Sequence, residues 1–199
     1  ASELFERYPI LESCRQDMDQ ALSILETAYK NQGKLLIMGN GGSSADAEHL
    51  SGELMKGFLK KRPLSQTERQ LLDKVDTDIA DNLQGALPAM SLGVAHSANS
   101  AFANDVDPLY IFAQQIWGLG MKNDVVMGIS TSGNSKNVVK GLKVARAKGL
   151  KTIAFTGSTP SKCSELADIT IKAPETITHK VQEYHLPLYH ALCIELEEI

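Results

Sequence analysis

The sequence predicts an α/β protein in which a parallel sheet lies between two layers of helices, as a three-layer αβα sandwich. Two observations support this fold class. Four short apolar runs and a weaker fifth are spread along the chain at wide intervals, and stretches with helical periodicity separate the later ones. Strands that are apolar on both sides are typical of parallel sheets covered by helices on both faces.

The predicted elements follow in chain order. Apolar residues recur every three or four positions from Leu4 to Tyr29, which predicts one or two amphipathic helices. The apolar runs predict strands at residues 34–38, 88–92, 124–130, 151–157 and, more weakly, 168–173. Helices are predicted from Asn134 to Lys148 and from about Ile177 to Glu198. Pro187 removes a backbone hydrogen bond from the last helix and is expected to kink it.

One segment does not belong to the alternation of strands and helices. Ser65 and Glu68 have the spacing of a capping box, which marks the start of a helix. An apolar stripe follows, made of Leu71, Leu72, Val75, Ile79 and Leu83. Residues 66–84 are therefore predicted to form one inserted amphipathic helix. Such a stripe usually provides extra packing or an oligomer contact, and the alternative is a lid over a site.

Length and composition limit the possible functions. The 199 residues, of which 43% are hydrophobic, predict a single domain over residues 1–199. The net charge is −4 and the only basic cluster is residues 60–62, which argues against a nucleic-acid partner. No apolar run approaches the roughly 20 residues that span a bilayer, so we expect a cytoplasmic protein without a membrane partner. The three cysteines lack CxxC spacing, which argues against disulfides or a zinc knuckle.

Two turns that follow predicted strands are unusual, and ligands of open parallel sheets bind where strands lead into helices. The first turn is GNGGSS at residues 39–44, and the second is STSGNS at residues 130–135. A dinucleotide fingerprint is not met, because its third small position falls on Ser44 and no acidic residue ends a second strand about 20 positions later. Neither turn has a Walker lysine or the G-x-S-x-G spacing of a hydrolase.

The second turn has the composition of a phosphate site. It offers the hydroxyls of Ser130, Thr131, Ser132 and Ser135 beside a glycine at the start of a predicted helix. Free N–H groups and the positive end of the helix dipole favour an anion there. Simple helix capping would explain one hydroxyl but not four. A phosphate on a small molecule is the ligand that this turn predicts.

Two pairs of polar residues are spaced to share helix faces. His49 and Glu53, at i and i+4, lie roughly 40 degrees apart around a helix, which suits two ligands of one metal or an acid–base pair. The common alternative is a helix-stabilising contact. In the last helix Gln182 and His190 lie two turns apart, so both can face one cavity. Spacing alone does not choose between His190 and the other two histidines of that helix, His179 and His185.

Four segments, taken in order, resemble one family. GNGGSSADAEHLSGE, the dipeptide Asn104–Asp105, GISTSGNSKNVV and VQEYHLPLYH are similar to the sedoheptulose 7-phosphate isomerases, also called phosphoheptose isomerases, of the sugar isomerase (SIS) fold. The resemblance covers nearly the whole chain. It implies a single SIS domain with a flavodoxin-like, five-stranded parallel sheet and a homotetramer with sites between subunits. The implied reaction converts the sugar phosphate sedoheptulose 7-phosphate into D-glycero-D-manno-heptose 7-phosphate.

The resemblance also implies roles for individual residues. The implied ligands of one weakly bound Zn²⁺ ion per site are His49, Glu53, Gln182 and His190. Glu53 and His190 are the implied catalytic pair, which moves protons through an enediol while the metal polarises the carbonyl. The implied substrate and phosphate contacts are Asn40, Gly41, Gly42, Ser43, Glu53, Asn104, Asp105, Ser130, Thr131, Ser132, Ser135 and Gln182. The chain departs from the family at Gly57, where an arginine is usual, and at His179, where an aspartate is usual.

Two other functions agree with the same motifs. A non-catalytic SIS protein that binds a phosphosugar as a regulator, or assists a replication initiator, is the first alternative. Such relatives lose the acidic and histidine positions, whereas this chain keeps His49, Glu53, Gln182 and His190 together. An isomerase of a different sugar phosphate is the second alternative, which differs only in the shape of the pocket.

Overall fold

The computed structural model of this protein describes residues 2–199 and confirms the α/β fold class. The strands are β1 (Leu35–Gly39), β2 (Ala89–Ser91), β3 (Val125–Ile129), β4 (Lys151–Thr156) and β5 (Ile169–Lys172). The helices are α1 (Ser2–Arg7), α2 (Arg15–Lys30), α3 (Gly42–Leu54), α4 (Gln66–Asp73), α5 (Thr77–Asn82), α6 (His96–Asp105), α7 (Ile111–Leu119), α8 (Lys136–Ala147), α9 (Lys162–Leu166) and α10 (Thr178–Leu196). Two 3-10 helices within the same residues cover Pro9–Cys14 and Pro108–Tyr110.

All five strands are parallel and lie in the order β2-β1-β3-β4-β5. The five predicted strands are therefore confirmed, each within a few residues of its expected bounds. Because β1 and β3 are neighbours, the two polar turns that follow them leave the same edge of the sheet side by side.

Successive residues of β1 pack on opposite faces of the sheet, as the pleat requires. Leu35 and Ile37 join a cluster with α1, α2, α3 and α10, while Leu36 and Met38 join a second cluster with α7, α8 and α9. All five β1 residues are buried. The sheet is thus covered by helices on both faces, which confirms the three-layer sandwich.

The inserted segment differs from its prediction. Ser65 forms a capping box with Glu68, as predicted. The prediction of a single helix over residues 66–84 is wrong, because α4 and α5 are separate helices. Asp76 lies between them in an extended conformation, and its carboxylate accepts a hydrogen bond from the Asp78 amide. A side chain that caps a new helix in this way ends the previous one locally. The apolar stripe of the segment remains largely exposed, with Leu71 at 65% and Val75 at 80%.

The last helix is continuous. α10 runs from Thr178 to Leu196 with Pro187 in its interior. It packs against α2 and α3 through buried residues such as Leu188 and Leu192. Within residues 2–199 no helix combines the length and apolar character that crossing a membrane requires.

Candidate active site

The helix α3 brings His49 and Glu53 together. It begins directly after β1, where Gly41 has a φ of +56°, a left-handed conformation that glycine adopts without strain. One turn apart on α3, His49 Nε2 and Glu53 Oε1 are 3.2 Å from each other. The second carboxylate oxygen, Oε2, accepts a hydrogen bond from Lys56 Nζ at 2.5 Å. Glu53 is therefore held between an imidazole and an ammonium group.

The charge of Glu53 is stabilised by these neighbours. The hydrogen bond from Lys56 has the largest effect and lowers the pKa of the carboxyl group, while partial burial acts in the opposite direction. The charges of Lys56 and His49 lower this pKa further. Glu53 is consequently ionised at neutral pH.

The helix α10 adds His190 to this pair. The rings of His49 and His190 are 5.0 Å apart between centroids and meet edge to face at 87°. Burial, and then the charge of His49, lower the pKa of His190. Its Nε2 is buried and has no hydrogen-bond partner within residues 2–199. We call His49, Glu53 and His190 the reaction cluster.

The two other histidines of α10 lie elsewhere. His185 is fully buried, with its Nε2 3.2 Å from the backbone oxygen of Thr156. Burial lowers the pKa of His185 to about 4. His179 is exposed near the start of the helix. Of the three candidates that spacing left open, only His190 contacts His49.

Gln182 lies against the first turn. A Cβ atom placed on Gly42 would come within 2.7 Å of Gln182 Nε2, so the glycine leaves the space that the amide group occupies. Gln182 and Gly42, both predicted site residues, are therefore in close contact. No hydrogen bond within residues 2–199 joins Gln182 to the reaction cluster.

The second turn, residues 130–135, has free donors at the start of α8. Ser130 and Ser135 share a hydrogen bond of 2.9 Å between their hydroxyls, and Ser135, the N-cap residue, makes no side-chain capping bond. The amides of Lys136 and Asn137 donate no hydrogen bond within residues 2–199. Helix capping thus does not account for the hydroxyls, which favours a bound anion over the simpler interpretation.

The shape of this turn depends on Gly133. Its φ is +63°, and a Cβ atom there would lie 2.0 Å from Ser161 Oγ. The Gly133 amide donates to the Ser130 oxygen, and its own oxygen accepts from the Cys163 amide. The remaining predicted residues of the turn, Thr131 and Ser132, accept hydrogen bonds from Gly157 and Asn134 respectively.

A pair of amide side chains links the two turns. Asn40 Nδ2 donates to Asn137 Oδ1 at 2.9 Å, and Asn137 Nδ2 donates to Asn40 Oδ1 at 2.8 Å. This pair holds the end of β1 against the start of α8. Ser43, another predicted contact, is buried behind the first turn and donates its amide to the Asn40 oxygen.

Asn104 and Asp105 stand apart from the rest of the predicted site. They lie at the exposed end of α6, where Asn104 Nδ2 donates to Asp105 Oδ1 at 2.9 Å. No hydrogen bond or ion pair within residues 2–199 connects either residue to the reaction cluster or to the second turn.

The predicted metal ligands have suitable chemistry. Imidazole nitrogens and a carboxylate are zinc donors, and the unpartnered Nε2 of His190 is a buried nitrogen beside the other two members of the cluster. The side chains do not form a closed site, since no group of three His, Cys, Asp or Glu residues within positions 2–199 is arranged around a common metal position. The donor types fit zinc, and Lys56 occupies one oxygen of Glu53.

Sequence reasoning missed several residues of this site. Lys56 could have been found, because it lies three positions after Glu53, at the spacing of an ion pair on one helix face. Asn137 lies within the motif GISTSGNSKNVV but was not singled out. Tyr189 and Asp46, which extend a hydrogen-bond chain from His49, have no local signal, since they are 143 residues apart.

Comparison with known proteins identifies the family of the chain. The SIS domain model matches residues 99–193. The phosphoheptose isomerase of Thermodesulfovibrio yellowstonii is 37% identical over 180 residues, which are 90% of this chain and 79% of that protein. The phosphoheptose isomerase of a Helicobacter pylori strain is 39% identical over 92% of this chain and 84% of that protein.

Solved structures give the same result over the full chain. The phosphoheptose isomerase of Neisseria gonorrhoeae superimposes with a TM-score of 0.77 at 29% identity, covering 100% of this chain and 97% of the other. That of Francisella tularensis gives a TM-score of 0.81 at 25% identity, covering 100% and 94%. The chain therefore belongs to the phosphoheptose isomerase family of aldose–ketose isomerases, and it has the fold of that family.

Proposed function

We propose that this phosphosugar isomerase interconverts sedoheptulose 7-phosphate and D-glycero-D-manno-heptose 7-phosphate. The observation that carries the proposal is the reaction cluster, in which an ionised carboxylate and two imidazoles meet. The free amides at the N-terminus of α8 add a place for the phosphate group. The similarity to phosphoheptose isomerases supports this choice of substrate.

Glu53 is the base in this reaction. It removes a proton from C1 of the open-chain ketose and returns it to C2, with an enediol between the two steps. Its lowered pKa keeps the carboxylate free of a proton at neutral pH, which a base requires before substrate binds.

His190 moves the second proton. As C1 is deprotonated, the hydroxyl proton leaves O1 and a proton is delivered to O2, so the atoms balance between ketose and aldose. A neutral imidazole can both accept and donate a proton, and burial lowers the pKa of His190. Its Nε2 makes no hydrogen bond within residues 2–199.

The second turn holds the phosphate group. Its hydroxyls and the free amides of Lys136 and Asn137 supply donors without a basic side chain. Asn40 is engaged with Asn137, so its contribution is to fix the first turn beside the phosphate.

The metal-binding part of the proposal concerns His49, Glu53, Gln182 and His190. These residues would hold one zinc ion, which would polarise the carbonyl of the substrate and stabilise the enediolate. The amide oxygen of Gln182 is a weak ligand, so the ion would be loosely bound.

We also propose that the protein is a homotetramer with sites between subunits. The exposed apolar stripe on α4 and α5 supports an interface there. A site completed by a second copy would also explain why Asn104 and Asp105 make no contact with the reaction cluster of their own chain.

The direct test is conversion of sedoheptulose 7-phosphate by the purified protein, followed by NMR with added zinc and with a chelator. We expect the aldose to form with zinc present and to form more slowly after chelation. Glu53→Gln should lower kcat by about 10²- to 10⁴-fold, because it removes the base. Glu48→Gln is the matched control, since Glu48 is an exposed residue of the same helix, and its activity should equal that of the wild type.

Other outcomes identify other functions. If the zinc-loaded protein converts a different sugar phosphate in a substrate panel and not sedoheptulose 7-phosphate, it is an isomerase but the assigned heptose substrate is wrong. If it binds phosphosugars but converts none, the protein is a non-catalytic SIS binder. Full activity of Glu53→Gln would contradict the assignment of the base.

A further inference from the structure

The loop that follows α3, residues 57–60, lies against the C-terminal end of α10, and we call it the α3 loop. Glu197 is the C-cap residue of α10, and its side chain is only 2% exposed. Its Oε1 accepts a hydrogen bond from the Phe58 amide at 2.5 Å. Its Oε2 accepts from the amides of Leu59 and Lys60 at 2.9 and 3.1 Å. One carboxylate therefore binds three consecutive amides of the loop.

Arg62 joins this carboxylate to the end of α3. Its Nε is 3.9 Å from Glu197 Oε1. Its Nη2 donates to the carbonyl oxygens of Glu53 and Leu54 at 3.2 and 2.7 Å. A cation that binds the last carbonyls of a helix stabilises that helix end. The α3 loop is thus fixed both to α10 and to the turn of α3 that carries Glu53.

The Arg62–Glu197 pair is buried and charged. Burial raises the pKa of Glu197, but the three loop amides and the charge of Arg62 together outweigh it, so this pKa is lowered. Nε and Nη1 of Arg62 are buried and have no hydrogen-bond partner among the described residues. The guanidinium therefore depends on Glu197 for compensation of its charge, and removing either partner would leave the other charge buried and unpaired.

The side chain of Phe58 connects the α3 loop to the reaction cluster. Its ring centroid is 5.3 Å from that of His190, and the ring planes are inclined at 39°. Glu197 follows His190 by seven positions, or about two helical turns, so both residues lie on the same side of α10. The loop lies across that side, bound to Glu197 through its backbone and in contact with His190 through the Phe58 ring.

The α3 loop is a tight turn. A Cβ atom on Gly57 would lie 2.4 Å from the carbonyl oxygen of Lys60, which is too short for two non-bonded atoms. The Gly57 amide also donates to Gln84 Oε1 at 2.9 Å. Any side chain at position 57 would therefore shift the backbone that carries Phe58.

We propose that Glu197, together with Arg62, is a positioning residue that holds the Phe58 ring against His190 and so fixes the orientation of this imidazole within the reaction cluster. An imidazole without such a neighbour can turn to other side-chain rotamers. A ring that transfers protons loses rate when its alignment with the reacting atoms is lost. The effect on rate rests on the proposed function, whereas the contact itself does not.

The contact can be measured without substrate or metal. The nuclear Overhauser spectrum of the metal-free protein should show a cross-peak between the ring protons of Phe58 and His190, assigned by its loss in Phe58→Leu. In Glu197→Gln the cross-peak should weaken or disappear, because a glutamine NH₂ group would face amides that are donors themselves. Glu198→Gln is the matched control, since Glu198 is 60% exposed and pairs with Lys60 on the surface, and it should keep the cross-peak. Absence of the cross-peak in the wild type, or its full retention in a folded Glu197→Gln protein, would overturn the proposal.

Gly57→Ala tests the same contact without removing a charge. It replaces Glu197→Gln if that variant does not fold, since the Arg62 charge would then be buried without its partner. The new Cβ displaces the loop backbone at Lys60, so the cross-peak should weaken. Gly52→Ala, with no atom within 4 Å of the new Cβ, should keep it. A cross-peak of wild-type intensity in Gly57→Ala would contradict the role of the loop.

Kinetics test the effect on the reaction. Phe58→Leu should lower kcat about 10-fold with KM changed less than about 2-fold, as for residues that orient a catalytic group. Glu197→Gln should lower kcat similarly in the wild type but add little in the Phe58→Leu background, because both changes act through one contact. Leu59→Ala keeps the loop amide and removes a side chain that is 68% exposed, so it should match the wild type.

The kinetic outcomes separate this proposal from the proposed function. A wild-type kcat in Phe58→Leu, or independent effects of the Phe58 and Glu197 changes, would contradict positioning of His190 through Phe58. Failure of the wild type to convert sedoheptulose 7-phosphate would remove the proposed function, while the cross-peak would still confirm or refute the contact.

Discussion

Individual residues of α10 show how environment separates side chains of the same type. His185 and His190 are five positions apart, yet His185 is fully buried against Phe155 and the Thr156 backbone, while His190 joins Glu53 and His49. Burial lowers the pKa of both rings, but only His190 also interacts electrostatically with His49 and Glu53. His185 is therefore part of the core, whereas His190 is part of the reaction cluster.

His185 predicts a dependence of stability on pH. In the unfolded chain His185 has its ordinary pKa of 6.5, whereas burial lowers this pKa to about 4 in the folded chain. The contribution of the buried neutral ring to the free energy of unfolding is therefore complete above pH 6.5 and is lost as the pH falls toward 4. A difference of 2.5 pKa units (6.5 − 4) corresponds to roughly 3 kcal/mol. Between pH 7 and pH 4.5 the free energy of unfolding, measured by urea denaturation, should fall less in His185→Gln than in the wild type. The difference should be roughly 2–3 kcal/mol. His179→Gln, on the exposed part of the helix, should leave it unchanged, and an identical pH profile for His185→Gln would contradict the prediction.

At the scale of elements, the site depends on glycines where strands lead into helices. Gly41 has positive φ at the start of α3, and Gly133 has positive φ before α8. Gly42 is different, because its backbone is helical and only the nearby Gln182 side chain requires the missing Cβ. The first two glycines shape the turns, whereas the third leaves room for a side chain from α10.

Gly42→Ala is therefore expected to damage the site more than the fold. The new Cβ would lie 2.7 Å from Gln182 Nε2, and the end of a flexible side chain can move aside at small cost. We expect the free energy of unfolding to change by less than about 1 kcal/mol and the activity to fall, because Gln182 is displaced. The control is Gly52→Ala on the same helix, where no atom lies within 4 Å of the new Cβ. If Gly42→Ala and Gly52→Ala had the same kinetic constants, Gln182 would have no part in the site.

At the scale of the whole molecule, sheet order and helix packing assemble the site. The adjacency of β1 and β3 brings the two turns together, and the Asn40–Asn137 pair fixes them. The packing of α10 on α3 then brings His190 to Glu53. Part of the molecular surface is left apolar, along α4 and α5, where Ala80 is the only residue of either helix that is buried.

This surface predicts the effect of charge on assembly. Val75→Asp combined with Leu71→Asp should lower the molar mass measured by sedimentation, because these exposed side chains would lie in a subunit interface. The circular dichroism spectrum should stay the same, since neither side chain is in the core. Gln70→Glu adds a charge to the same helix without removing apolar surface, and its mass should equal that of the wild type. If the double variant had the molar mass of the wild type, a subunit interface would have to lie elsewhere.

Local pattern in the sequence determined the parallel sheet, the capping box at Ser65 and the shared face of His49 and Glu53, because hydrophobic period and helix geometry act over a few residues. It did not determine the break at Asp76, the choice of His190 or the chain from His49 through Tyr189 to Asp46. The break depends on a capping bond that competes with helix continuation. The other features depend on contacts between residues more than 100 positions apart, which form only when β1 pairs with β3 and α10 packs on α3.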